Sequence, residues 1–257
     1  MMRVGAFAML MLGSTAGLKL KEKPQPVLKL RGGDTLTNVG AGLFGLSGAM
    51  AYIAPKANFE NYKMTVTEST ALANMRGAGA WQMALGAIIA LDPTNVHAIS
   101  SFLAAAAILI GVPAFEVMAG PKAPSVIWMG ILSVIGKFAL DGKVSPWVAV
   151  GLYLANGLQF YFTPKGTAKM YKVPVVISPM GYSMFSLQGS AMIVAGIYLG
   201  CLAYGLTAPQ SFGAAFLANA VMAAKWAFTE AEALGAPKEG PLAWAAISTV
   251  LGGLALK

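Results

Sequence analysis

From residue 37 onward the chain alternates long apolar runs with short breaks made of Pro, Gly and single charges. The runs are apolar all round rather than along one stripe. That is the pattern of helices that meet lipid on one side and other helices on the other. They predict membrane spans at 37–54, 71–91, 96–118, 124–140, 146–162, 181–206, 210–229 and 241–256. Several of these sit at the short end of the roughly 17–25 residues that a spanning helix uses. The predicted fold class is an all-α membrane protein with eight transmembrane helices.

The runs repeat. GLFGLSGAMAYIAPK (42–56) returns as GLYLANGLQFYFTPK (151–165), with Gly42, Leu43, Gly48, Tyr52, Pro55 and Lys56 recurring 109 residues later. Tyr62-Lys63 recurs as Tyr171-Lys172 at the same offset. Gly79 and Gly86 match Gly189 and Gly196, and Ser101-Phe102 matches Ser211-Phe212, at offset 110. Pro121-Lys122 and Trp128 match Pro237-Lys238 and Trp244 at offset 116, so the second copy gains about six residues within its third helix or the turn after it. Residues 37–140 and 146–256 therefore read as two four-helix repeats. An even number of spans per copy makes both enter from the same side, a parallel tandem arrangement. The recurring glycines, Gly42, Gly48, Gly79 and Gly86 among them, suit close helix approach in lipid. Tyr52 and Tyr161, at span ends, suit the headgroup level.

Composition and charge support this picture. Residues are 57% hydrophobic and only 11% charged, against about 25% charged in soluble domains. A globule this size could not be clothed in so few charges, so lipid is the expected solvent. The net charge of +8 comes from scattered single residues with no aromatic-interleaved basic cluster, which argues against nucleic acid as a partner. Lys56, Lys63, Lys122, Lys165, Lys169, Lys172 and Lys238 fall in one set of loops, whereas 92–95, 141–145 and 207–209 hold only Lys143. The positive-inside rule puts the first set on the cytosolic or stromal side. A single cysteine, Cys201, rules out an internal disulfide framework.

MMRVGAFAMLMLGSTAG, residues 1–17, has the outline of a signal peptide: Arg3, a short apolar run, then small residues. Residues 18–36 form a basic, Pro-interrupted tail expected to be exposed. Within it, Lys29-Leu30-Arg31-Gly32-Gly33 placed soon after a signal peptide resembles the presequences of heterokont and haptophyte algae with secondary plastids. That resemblance implies entry into the secretory pathway and delivery to a plastid; Leu18 replaces the aromatic usual after cleavage, which leaves another endomembrane open. The four-helix unit, with its early GAGAW helix (77–81), is similar to DoxX-like small membrane proteins, which implies a four-span bundle and no particular chemistry.

Several polar side chains fall inside or beside spans. Lys225 is placed near the middle of its helix, where ionisable groups usually face a bundle interior or cavity, with Glu116 or Glu230 as candidate partner. Arg76 lies about two turns into the second span. Gln82, Asn156, Gln159 and Gln188 are expected to hydrogen-bond between helices, and Asn219, six residues before Lys225, is a further ligand candidate on the same helix. Glu68 in Thr65–Glu68 reads as a capping box, and Ser178-Pro179 as the matching cap in the second copy. His97, the lone histidine, cannot build a metal site with so few partners, although axial ligation of a pigment or haem is open to it. No phosphate loop, nucleophile triad or paired acids stand out.

The expected function is a non-catalytic subunit or scaffold of an algal plastid or endomembrane complex, held in the bilayer and packed against partner proteins. The alternative is a carrier or binder of a small or lipophilic molecule between the two repeats, drawing on Lys225, Glu116 and the in-span amides. No cofactor is required. Cleavage near Ala16–Gly17 is expected to remove the leader, which intact-mass analysis of the native protein tests directly.

Overall fold

The computed structural model describes residues 35–91, 93–117 and 121–257. The signal peptide, nearly all of the basic tail and the side chain of Glu116 lie outside the described residues. Among the described residues the chain is all-helical, with ten helices and no strand. They are α1 (Thr35–Ile53), α2 (Pro55–Asn61), α3 (Ser69–Ala90), α4 (Val96–Val117), α5 (Ala123–Leu140), α6 (Pro146–Phe162), α7 (Pro164–Met170), α8 (Pro179–Tyr204), α9 (Ala208–Ala233) and α10 (Glu239–Ala255). Each of the eight apolar runs is a helix. Three of these, α1, α5 and α8, are long and apolar enough by themselves to cross a membrane.

α3 and α8 form the centre. α8 is buried over most of its length, whereas α5 buries only Leu132 and Gly136. α3 packs on α1, α4 and α8; α8 packs on α6, α9 and α3. α4 packs on α5 and α9 on α10, so the same order of neighbours runs through each half of the chain. The centre is fastened by polar groups. Gln188 Nε2 donates to the Asn74 backbone carbonyl at 3.3 Å, and Asn74 Nδ2 donates to the Gly181 carbonyl at 3.2 Å. Such interhelical bonds contribute about 0.6 kcal/mol each in a bilayer.

Glycine sets the spacing. A Cβ on Gly79 would lie 2.5 Å from the Gly48 carbonyl oxygen and 2.6 Å from Tyr52 N. A Cβ on Gly189 would lie 2.6 Å from the Gly157 carbonyl oxygen and 2.5 Å from Tyr161 N. The α1–α3 and α6–α8 pairs thus meet backbone to backbone. Gly42 and Gly151, expected to do the same, face open space with nothing within 4 Å. Their recurrence reflects no close approach inside the protein.

Ser178 caps α8, its Oγ accepting from Gly181 N at 3.0 Å, with Pro179 in the first turn. Thr65–Glu68 is not a capping box: Glu68 itself is the N-cap of α3 and makes no side-chain cap bond. Its carboxylate accepts from Ser178 Oγ at 3.4 Å, tying the two helix starts together.

α2 and α7 end alike. Lys63 (φ 56°) and Lys172 (φ 52°) are left-handed, and the amides around them bond back to the helix: Met64 N to the Phe59 carbonyl, Val173 N to the Ala168 carbonyl, both at 3.0 Å. This is the Schellman closure, usually made with glycine. The reversal turns Tyr62 and Tyr171 back onto the bundle.

Gly79→Ala and Gly189→Ala are expected to destabilise by about 1–3 kcal/mol, because a helix must move off its neighbour. Gly42→Ala is expected to be neutral or stabilising by about 0.5–1 kcal/mol. Thermal unfolding in mild detergent separates the two classes.

Candidate functional site

Two cavities lie where the two halves of the chain meet, and both use the tyrosines just described. The larger, about 130 Å³, is lined by α1, α2, the α2–α3 segment, α3, α6, α8, α9 and α10. Trp244 Nε1, on α10, donates to Tyr62 Oη at 2.7 Å across its wall. Phe44 stacks on Trp244 with centroids 6.1 Å apart. Ser47 Oγ donates to Gln82 Oε1 at 3.2 Å, and Asn219 Nδ2 donates to Ser248 Oγ at 2.9 Å. Met64, Met75, Met184, Met222 and Trp226 add an apolar part of the wall. Methionines give a wall that can change shape.

The smaller cavity, about 80 Å³, is enclosed by α3–α6, α8 and Tyr171. Here Trp128 of the first half hydrogen-bonds Tyr171 of the second. Tyr153 Oη donates to the Ser100 carbonyl at 2.9 Å, joining α6 to α4. Phe44 and Tyr153, Ser47 and Asn156, Tyr62 and Tyr171 occupy matching places in the two cavities at offset 109. Each cavity is therefore closed by a Trp from one half bonded to a Tyr from the other. Burial pushes the Tyr62 phenol above its ordinary value, so it stays neutral and hydrogen-bonding at physiological pH.

Of the candidate residues, Gln82 and Asn219 line the larger cavity and Gln188 the smaller. Asn156 also reaches the smaller cavity, but its amide donates to Leu152 of its own helix at 2.8 Å rather than between helices. Gln159 Nε2 points to Met170 Sδ at 3.3 Å. His97 lines neither cavity: its Nε2 is 2.9 Å from the Leu199 carbonyl, and its own carbonyl accepts from Ser100 Oγ at 2.8 Å. Arg76 is half-buried on α3 and lines neither cavity. Among the described residues no group of His, Cys, Asp or Glu could hold a metal ion.

Lys225 belongs to a different cluster. Its Nζ lies 4.5 Å from the Tyr161 ring centroid, 5.9 Å from that of Phe162 and 3.6 Å from Glu230 Oε1. Tyr161 and Phe162 are the last two residues of α6, so Lys225 sits level with a helix end rather than at mid-bundle depth. Glu230 Oε2 accepts from Ser183 Oγ at 2.8 Å, and Ser183 Oγ accepts from Trp226 Nε1 at 2.6 Å. All of these residues belong to the second half of the chain. Lys225 braces α9 against α6 and α8, with a cation–π term of about 0.5–2 kcal/mol, and lines neither cavity.

The Trp–Tyr pairs carry no chemical label in the sequence. Their signal was recurrence alone: Tyr62, Tyr171, Trp128 and Trp244 all hold matching positions in the two copies, and only the fold shows that each bonds across to the other half. A double-mutant cycle on Tyr62→Phe and Trp244→Phe, read by thermal unfolding, is expected to give a coupling of about 0.5–1.5 kcal/mol. No protein-family model, no curated protein and no solved structure matches this chain.

Proposed function

We propose that this is an eight-span membrane protein, built as two parallel four-helix repeats, that binds a small lipophilic molecule in cavities between the repeats. The observation that carries the reading is the pair of matched cavities, each walled by both halves and closed by a Trp–Tyr bond. Repeat interfaces are where membrane carriers place their sites. The matched Gly48–Gly79 and Gly157–Gly189 contacts support the repeat. The eight-span arrangement is supported by exposed apolar side chains around the outside, among them Leu46, Ile53, Val126, Ile127, Val221 and Val250. A water-soluble protein would not tolerate that much apolar surface.

Of the two charges that motivated the binding reading, Lys225 lines neither cavity and Glu116 lies outside the described side chains. The binding reading rests on aromatic and amide groups. Membership of a larger membrane complex is the second reading. It is favoured by α5, whose Val126, Ile127, Ile131, Val134 and Phe138 form one exposed apolar face. Plastid or other endomembrane delivery rests on residues 1–33 and belongs to the same proposal.

The topology is tested by single cysteines in a Cys201→Ala background. Lys63→Cys and Lys172→Cys should react with a membrane-impermeant maleimide from the same side, and Lys143→Cys only from the other. Labelling of all three from one side would sink the eight-span reading. For binding, native mass spectrometry from mild detergent should show a small adduct on a particle carrying one copy of the chain. A reproducible protein partner with no adduct would favour the complex-subunit reading.

A further inference from the structure

The two short helices share a backbone plan and differ in what they show to the outside. α2 (PKANFEN) and α7 (PKGTAKM) each have 7 residues, start at Pro-Lys and lead into the left-handed turns at Lys63 and Lys172. At offset 109 the exposed Glu60 of α2 corresponds to the exposed Lys169 of α7, and the exposed Asn61 to the exposed Met170. Lys165 and Lys169, four residues apart, share one face of α7. Lys172 follows at the turn. None of the three is paired with a carboxylate among the described residues. The Lys165 ammonium instead lies 5.8 Å from the Tyr182 ring centroid. From 142 to 229 the chain contains no Asp or Glu, so α6 and α8, on which α7 packs, offer no counter-charge. Glu68 and Glu230, which reach the first turn of α8 from α3 and α9, are engaged by Ser178 and by Ser183 with Lys225.

Apolar side chains interleave with these charges. Met170 ends α7 and Val176 follows it, and both are exposed, Val176 at 93%. The matching connection of the first half, 54–68, has no exposed large apolar side chain; its Phe59 and Val66 are buried. The positive-inside rule accounts for lysines on both connections alike. It does not account for exposed apolar groups set among lysines on one of them. That combination suits a segment lying at the boundary of headgroups and acyl chains, where apolar groups enter the acyl region and ammonium groups meet anionic headgroups.

We propose that α7 and the chain as far as Val176 form a docking site for an anionic lipid headgroup of the surrounding leaflet. Lys165, Lys169 and Lys172 supply ammonium donors to the headgroup phosphate, and Met170 and Val176 enter the acyl boundary beside it. In the first half Glu60, between Lys56 and Lys63, opposes such a charge. The site is separate from both cavities, since none of its residues lines either. The inference rests on the eight-span reading above and not on ligand binding in the cavities.

The test is native mass spectrometry of the detergent-purified full chain, titrated with dioleoyl phosphatidylglycerol or dioleoyl phosphatidylcholine, which share their acyl chains. Phosphatidylglycerol should bind about tenfold tighter, the equivalent of about 1.4 kcal/mol, and the preference should shrink as ionic strength rises. Lys169→Glu with Met170→Asn, which gives α7 the residues of α2, should bring the two lipids to within about twofold of each other. The reverse exchange, Glu60→Lys with Asn61→Met, should add a second phosphatidylglycerol adduct, and it keeps the test open where the first variant folds poorly. Equal binding of the two lipids by the parent chain overturns the site. So does a preference that survives the exchange in α7, or an exchange in α2 that adds nothing. In each of these cases the eight-span reading stands on the maleimide labelling of Lys63→Cys, Lys143→Cys and Lys172→Cys. Labelling of all three from one side removes that reading and this inference with it.

Discussion

The constraint on which the molecule depends is the backbone-to-backbone contact between the first and second long helices of each half. At Gly48–Gly79 and at Gly157–Gly189 a carbonyl oxygen of one helix occupies the space a β-carbon would need on the other. Dispersion acts only at close range. Small residues give that range. Once α1 lies on α3 and α6 on α8, the two inner helices are free on their remaining faces to meet each other. They do so through Asn74, Gln188, Thr70 and Ser178, whose bonds cross from one half to the other.

The cavities follow from the same geometry. Tight helix pairs side by side leave gaps where the third and fourth helices of one half approach the first helix of the other. The left-handed turns at Lys63 and Lys172 fold Tyr62 and Tyr171 across these gaps, each onto a tryptophan of the opposite half. The same residues thus fasten the halves and shape the spaces between them. Two matched helix arrangements produce two such spaces without a dedicated binding loop. The two spaces differ: on one side the Tyr52 hydroxyl bonds the Ile110 carbonyl, and on the other the Lys225 ammonium lies over the Tyr161 ring.

Much of the architecture was legible in the chain because hydrophobic periodicity and recurrence are local properties. The eight apolar runs are eight helices, and the offset of the repeat placed Gly79 against Gly189, Tyr62 against Tyr171 and Trp128 against Trp244 before any contact was known. The cap at Ser178-Pro179 was readable because it needs only neighbouring residues. The short helices α2 and α7 were not anticipated, although Pro55-Lys56 and Pro164-Lys165 mark their starts; the pattern read there was a stop, and Pro serves a first helical turn equally well.

The sequence by itself determined which residues lie in apolar helices, how those helices repeat and where charge collects, since each depends on residue type and spacing along the chain. Tertiary structure alone decided which of the recurring residues matter. Gly42 recurs and touches nothing, while Gly79 recurs and sets a helix distance. Tyr161 reads as an interfacial ring and is buried. Lys225 reads as a mid-span charge and lies at a helix end beside Glu230. Each of these outcomes turns on what the other helices bring to the same point in space, and rotation and depth in a bundle are set by packing against partners distant in the chain.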